Sequence, residues 1–193
     1  SGALRYEDFS DAGDDLIGKL ATRYEFNDDF AIRGAVSTGF RAPSLQQSGY
    51  TAFTTNLGSD GTLTQSFTAN TGTAFPSALG VDSLELETST NYSAGFVYDV
   101  TSELSLTVDF YRVEIKDRIT LGSLLSADDV AFSDEAVAAL QATGAVQANY
   151  FSNSVDSTTQ GVDIIASYRT EVEGGNFGVT FAGNLNDTKI DNV

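Results

Sequence analysis

Hydrophobic residues recur at every second position through most of this chain, in runs joined alternately by short polar clusters and by long irregular stretches. Leu20, Thr22, Tyr24 and Phe26 alternate with Lys19, Ala21, Arg23 and Glu25. Phe30, Ile32, Val36 and Phe40 alternate with Ala31, Arg33, Ala35, Ser37 and Arg41. A period of two marks a strand with two unlike faces. Folding the pair about Asn27, Asp28 and Asp29 sets Phe26 against Phe30, Tyr24 against Ile32 and Leu20 against Val36, so the apolar positions share one face.

Two further hairpins read the same way. Tyr92, Ala94, Phe96 and Tyr98 lead into a turn through residues 100–103, after which Leu104, Leu106, Val108 and Phe110 continue the apolar face. The expected pairing is Tyr98 with Leu104, Phe96 with Leu106 and Tyr92 with Phe110. Beyond Phe110 that side becomes Arg112, Glu114, Lys116 and Arg118, so the strand passes from an apolar medium into water. In the third hairpin Val162, Ile164, Ala166 and Tyr168 oppose Gly161, Asp163, Ser167 and Arg169, and Phe177, Val179 and Phe181 return on the apolar side. Strands are therefore expected near residues 1–8, 16–26, 30–41, 88–99, 104–119, 158–170 and 177–188, an all-β antiparallel meander of about seven strands.

The connections sort by length. Turns at 27–29, 100–103 and 171–176 fall at one end of the sheet, which places the long connections 42–87 and 120–157 at the other. Tyr24, Phe26, Phe30, Phe96, Tyr98, Tyr168 and Phe177 sit beside the short turns on the apolar face and form one band. Both signs match a transmembrane β-barrel, with short periplasmic turns, long extracellular loops and aromatic residues at the lipid interface. A soluble β-sandwich alternates too, but gives no reason to sort loop length by end. Within the second long connection Ser133 to Gly144 reads as a short helix: Ser133 is the N-cap, Asp134 and Glu135 complement the first turn, and Gly144 ends it. Tyr50, Phe53, Phe67 and Phe75, spread through the first, either grip a ligand or pin the loop onto itself.

Composition narrows the chemistry. Among 193 residues, 10 lysines and arginines face 27 aspartates and glutamates, a net charge of −17 that argues against nucleic acid as a partner. With no cysteine and no histidine, disulfides, thiolate metal sites and Ser-His-Asp catalysis are excluded. No pattern of paired carboxylates suits general acid–base work, so no enzyme activity, cofactor or metal is expected. The acidic stretch 7–15 lacks the spacing of an EF-hand loop and reads as a solvated turn, with calcium binding as the alternative. No apolar run nears the ~18 residues of a membrane helix, which says nothing of strands, since these cross with ~9 to 11 residues.

The residues also carry a family resemblance. TGFRAPS, Thr38 to Ser44, resembles the strand-end motif of TonB-dependent outer-membrane receptors, in which Gly39, Phe40, Arg41, Ala42 and Pro43 are the matching positions. LELETSTNYSAGF followed by LSLTVDFYRVEIKDRI resembles that family's next hairpin, and YFSNSVDSTTQGVDIIASYR the segment after it. One departure is visible: Glu85 and Leu86 stand before Glu87 where the family often has Lys-Pro. The resemblance implies a 22-stranded barrel in the outer membrane of a Gram-negative bacterium, filled by an N-terminal plug and energised by TonB. On that reading residues 1–193 are an internal piece of the barrel, without plug, TonB-contact segment or closing strand. Its partners are outer-membrane lipid, the rest of its own barrel and plug, TonB through the missing N-terminal part, and a scarce small-molecule or glycan ligand such as a ferric siderophore or cobalamin. A secreted acidic β-rich adhesion or assembly protein and the wall of a passive porin are the competing readings.

The inward-facing set expected to meet ligand or plug is Arg23, Arg33, Arg41, Asp109, Tyr111, Asp163 and Arg169. Ion pairs within the wall are the alternative role, favoured for Arg23, Glu25 and Arg33. For Arg41 and Pro43 the choice lies between ligand contact and fixing the strand-to-loop transition. On the same assignment Ile32→Arg blocks insertion, whereas Ala31→Arg is expected to be tolerated.

Overall fold

The computed structural model describes residues 1–9, 13–57, 61–81, 83–126 and 133–192. Seven strands form the main body: β1 (Gly2–Phe9), β2 (Gly13–Glu25), β3 (Phe30–Arg41), then, past the first long connection, the strand Glu87–Asp99, followed by Leu104–Leu121, Gln147–Val172 and Gly175–Asn192. The first long connection holds α1 (Leu45–Gly49), β4 (Ala52–Leu57), β5 (Leu63–Ala69) and α2 (Ala74–Ala78). The remaining elements, in chain order, are thus β6 (Glu87–Asp99), β7 (Leu104–Leu121), β8 (Leu125–Ser126), α3 (Asp134–Ala142), β9 (Gln147–Val172) and β10 (Gly175–Asn192). All ten strands join one open sheet, ordered β1-β2-β3-β6-β7-β9 with β10 on β9.

Turn chemistry sets the registers. Asn27 Oδ1 accepts from the backbone N–H of Asp29 (3.0 Å) and Phe30 (2.7 Å), a side-chain-closed turn that brings Phe26 N to Phe30 O (2.9 Å). Leu20, Tyr24 and Phe26 meet Val36, Ile32 and Phe30 as the alternation predicts. Thr101 Oγ1 closes the next turn in the same way, accepting from Glu103 N (3.2 Å) and Leu104 N (3.1 Å). That closure is tighter than expected, so Tyr98 pairs with Leu106, Phe96 with Val108 and Ala94 with Phe110, two residues from the predicted pairing. A two-residue slip preserves the faces.

Two corrections concern the long connections. Residues 42–87 are built into two helices and a hairpin, and β9 begins at Gln147, well before residue 158. Both follow from mutual pairing: Ser66 to Ala69 of β5 run parallel to Gln147 to Tyr150 of β9, and β8 pairs with the same segment. Backbone groups that neither loop satisfies alone are satisfied together. On this small sheet Phe67, Ala69 and Ala148 pack with Phe75, Leu140 and Ala145. Phe67 and Phe75 therefore pin the loops, while Tyr50 and Phe53 stay half-exposed. The expected helix is present: Ser133 Oγ caps Ala136 N (3.2 Å), Asp134 and Glu135 occupy the first turn, and Gly144 (φ 77°) ends it.

Because α3 belongs to one connection and Phe75 to the other, truncating Leu140 to Ala should loosen both. A fully buried leucine lost from a core costs about 2–5 kcal/mol. Limited proteolysis of the folded protein should then cut within residues 42–86 as well as near α3, whereas cleavage confined to residues 122–146 would show that the loops fold separately.

A β-bulge in β7, between Ile115 and Arg118, breaks the alternation. Asp117 sits there at φ 55°, with its carbonyl accepting from Asn153 Nδ2 (2.7 Å). The extra residue turns Arg118 away from the side of Arg112, Glu114 and Lys116, and its guanidinium donates to Ser157 Oγ (3.1 Å) on the opposite face. The expectation that Arg118 continues the outer charged side is corrected accordingly. Ala31 is likewise buried, which leaves no room for the arginine it was expected to tolerate. The acidic stretch 7–15 lies partly outside the described residues, and among the described residues no three acidic groups converge on a metal-binding arrangement.

Candidate functional site

The two faces of the meander part along whole rows of paired residues. One row on the apolar side joins Leu20, Val36, Tyr92, Arg112, Gln160 and Asp187. It begins apolar and ends charged, so the apolar band crosses the rows obliquely. The band's lower margin steps the same way: Phe181 shares a row with Phe30, and Phe177 lies two outward positions below it. Strands tilted against a level boundary give this stagger, as strands in a barrel are tilted against its axis. Tyr24, Phe26, Phe30, Phe96 and Tyr98 mark the margin as a chain of ring contacts, with centroids 4.8–6.0 Å apart. Tyr168 pairs with Leu104, and Phe177 with Thr170, further along the same margin.

The polar side carries the candidate site. Its central row is Arg23, Arg33, Gly95, Asp109, Asp163 and Asn184, one residue from each successive strand. Asp109 and Asp163 are direct neighbours, a repulsive pairing unless each is compensated. Arg33 Nε donates to Asp109 Oδ1 at 2.7 Å and its Nη2 to Oδ2, although β6 lies between the two strands. The bridge passes over Gly95, where a Cβ would overlap the Asp109 carboxylate. Asp163 accepts from Asn184 Nδ2 at 2.6 Å. Asn184 also donates to Tyr111 Oη at 3.1 Å and accepts from Asn186 Nδ2 at 2.5 Å. Tyr111 reaches β10 across Gly161, whose missing Cβ would stand 2.6 Å from the phenol oxygen. Two glycines thus let two side chains bind a strand beyond their neighbour.

Arg23 pairs along its own strand with Glu25 (3.1 Å). Arg169 sits apart, near the short turns, where its backbone N–H donates to the Glu103 carbonyl oxygen (2.7 Å). Arg41 holds the opposite end: its Nε donates to Glu87 Oε2 at 2.9 Å and its Nη2 to Oε1, while Glu87 Oε1 also accepts from Ile119 N at 2.8 Å. This clasp closes the neck of the first long connection and ties it to the bulged part of β7. Asn153 adds a second tie, receiving Glu85 N (2.9 Å) and donating to Glu85 O (3.0 Å). Pro43 and Ser44 follow, and Ser44 caps α1 in a reciprocal pair with Gln47.

Glu87, Gly95, Asn153, Gly161 and Asn184 were not among the residues singled out by sequence. Alternation alone places Asn184 on the face opposite Phe177, Val179 and Phe181. The two glycines acquire meaning only once the registers are known.

Glu87 lies beyond Tyr92, the last ring of the apolar band on β6. Burial pushes its carboxyl up, but the Arg41 guanidinium, the Ile119 N–H and the charge of Arg118 outweigh it and hold it below the usual glutamate range. A depressed carboxylate stabilises at pH above its unfolded value and loses that contribution as pH falls through its folded value. Proteolysis at the neck, residues 41–44 and 85–87, should therefore rise on acidification below the ordinary glutamate range. In Glu87→Gln it should already be raised at neutral pH and change little with acid; a wild-type profile in that variant would exclude the clasp.

Comparison with known proteins is consistent with this geometry. The family model described as TonB dependent receptor-like, beta-barrel, matches residues 1–192. Among solved structures, the siderophore receptor PirA from Pseudomonas aeruginosa superposes with a TM-score of 0.62 at 17% identity, covering 97% of this chain and 31% of that one. PirA from Acinetobacter baumannii gives 0.57 at 20% identity, covering 92% and 24%. The RagAB peptide transporter gives 0.61 at 14% identity, covering 100% and 20%. The chain thus spans under a third of the length of each. No curated protein sequence matches it.

Proposed function

Since the chain belongs to the TonB dependent receptor-like β-barrel family, we propose that it forms a sector of the wall of an outer-membrane importer in a Gram-negative bacterium, driven through TonB. The observation that carries this reading is the oblique apolar band on one face set against the hydrogen-bonded polar row on the other. Such a sheet is unstable in water, where it exposes a broad apolar surface, and stable where lipid covers the band. The polar row then lines the lumen, where Arg33, Asp109, Asp163 and Asn184 present a rigid polar surface to plug or ligand. The co-folded pair of long connections stands outside, above the mouth. The imported solute belongs to a class too scarce or too large for passive diffusion, among which ferric siderophores, cobalamin and glycans are the candidates.

The test uses the full-length protein that contains this chain. Expressed in cells with and without TonB, it should support uptake of its solute only when TonB is present. Equal uptake in both strains would identify a passive pore, and a protein recovered soluble without detergent would remove it from the membrane.

A further inference from the structure

Most arginines on the polar face of this wall are spent on carboxylates of the same wall. Of the arginines on the polar face, Arg5, Arg23, Arg33 and Arg41 each hold a carboxylate, and Arg118 donates to Ser157 beside Glu87. Among the described residues of that face, Lys19, Arg118 and Arg169 stand outside the ion pairs, the last down beside the short turns. The long connections hold less still. No lysine or arginine occurs between Arg41 and Arg112, nor between Arg118 and Arg169, while Asp60, Asp82, Glu85, Asp128, Asp129, Asp134 and Glu135 fall in the two loops. An anionic solute gives up hydration on entering and needs guanidinium or ammonium donors in return. Here it would meet a negative field.

Uncharged donors and acceptors are abundant instead. In the lumen wall Tyr111, Asn184 and Asn186 form a connected set. In the sheet outside, Thr54, Thr68, Gln147 and Asn149 share one face, with Thr68 Oγ1 donating to Asn149 Oδ1 at 2.9 Å. On the other face Phe53 stacks on Phe67 at 4.7 Å and remains 51% exposed. Hydroxyls and amides donate and accept alike, as sugar hydroxyls do, and an aromatic plane offers a surface to the apolar face of a sugar ring. A peptide differs, since its terminal carboxylate asks for a cation.

Resting on the importer reading above, we infer that the solute recognised by this sector is an uncharged oligosaccharide. The test is uptake by cells expressing the full-length protein, with and without TonB. The probes are labelled short uncharged oligosaccharides of glucose, xylose and mannose, a ferric tris-catecholate, and an oligopeptide with uncharged side chains. TonB-dependent uptake of one of the oligosaccharides is expected. Asn186→Leu, present in the outer membrane at the normal level, should reduce it about tenfold, the effect of one or two lost hydrogen bonds, since Asn186 keeps one amide hydrogen and its Oδ1 beyond the bond to Asn184. Thr54→Val serves as a second variant should Asn186→Leu fail to assemble. Uptake of the ferric catecholate or the peptide, failure of every oligosaccharide, or oligosaccharide uptake unchanged by both variants overturns the assignment. Oligosaccharide uptake that persists without TonB leaves the solute class standing and removes only the energy coupling.

Discussion

Ile32→Arg in the full-length protein is expected to impair assembly in the outer membrane. Ile32 lies inside the apolar band, in a row with Tyr24, Phe96, Val108 and Ile164, and with 42% of its surface open on that face. On the outer face of a barrel an arginine costs about 2–4 kcal/mol at mid-bilayer and about 0–1 at the interface; Ile32 lies one outward position inside the margin ring Phe30, between these limits, and the neighbours here offer no carboxylate to offset the charge. The matched control is Ser93→Arg, on the opposite face in the row of Ala35, Tyr111 and Gly161, where the side chain is already exposed. Membrane fractionation and surface protease protection should find Ser93→Arg assembled and Ile32→Arg degraded or aggregated. Equal damage from both, or from neither, would mean that the two faces do not meet different solvents.

That prediction draws on what was most legible in the sequence. Alternation fixes the face of Tyr24, Ile32, Phe96 and Phe110 whatever the pairing, because a slip by two residues leaves every side chain on its side. The slip itself was not legible: it depends on Thr101 Oγ1 closing its own turn, a choice between near-equivalent geometries. Long-range pairing between β5 and β9 was hidden for another reason. Gln147 to Tyr150 has no marked alternation, and its partners lie some eighty residues away in the chain, as Ser66 paired with Gln147 illustrates. The bulge at Asp117 was not legible because aspartate tolerates the left-handed region without requiring it, and here the surroundings, among them Asn153, hold it there.

The polar row shows the same division. Arg33 and Asp109 were both assigned inward from alternation, but no rule of sequence pairs residues on strands that do not touch. What permits the contact is an absence of atoms. Gly95 is the single position between them, so its side chain, had it one, would occupy the path of the bridge. The same holds for Gly161 beneath Tyr111, and in both cases the glycine costs strand propensity that a β-branched residue would have supplied.

Gly95→Ala is therefore expected to destabilise the folded barrel by about 1–3 kcal/mol, the range for overpacking a filled site, even though alanine is otherwise the better strand residue. Its Cβ would meet the Asp109 Cγ at 2.9 Å and overlap both the nearer carboxylate oxygen and the Val108 carbonyl oxygen. The carboxylate can swing away, at the cost of its bond to Arg33 and of renewed repulsion with Asp163; the backbone carbonyl moves only if β6 and β7 part. Asp109→Ala removes the carboxylate alone and, because Arg33 is 45% exposed and returns to water, should cost about 0–1 kcal/mol. The double variant should recover part of the Gly95→Ala loss and not all of it, since the Val108 carbonyl stays in the way. Urea midpoints of the detergent-solubilised full-length protein, followed by loss of its compact electrophoretic form, measure the three values. Full recovery in the double variant would assign the glycine to the side-chain bridge alone, and a Gly95→Ala protein as stable as the wild type would show that β6 and β7 have slack the packing denies. The intermediate result places Gly95 where two requirements coincide, the close approach of neighbouring backbones and a clear path for an ion pair that spans three strands.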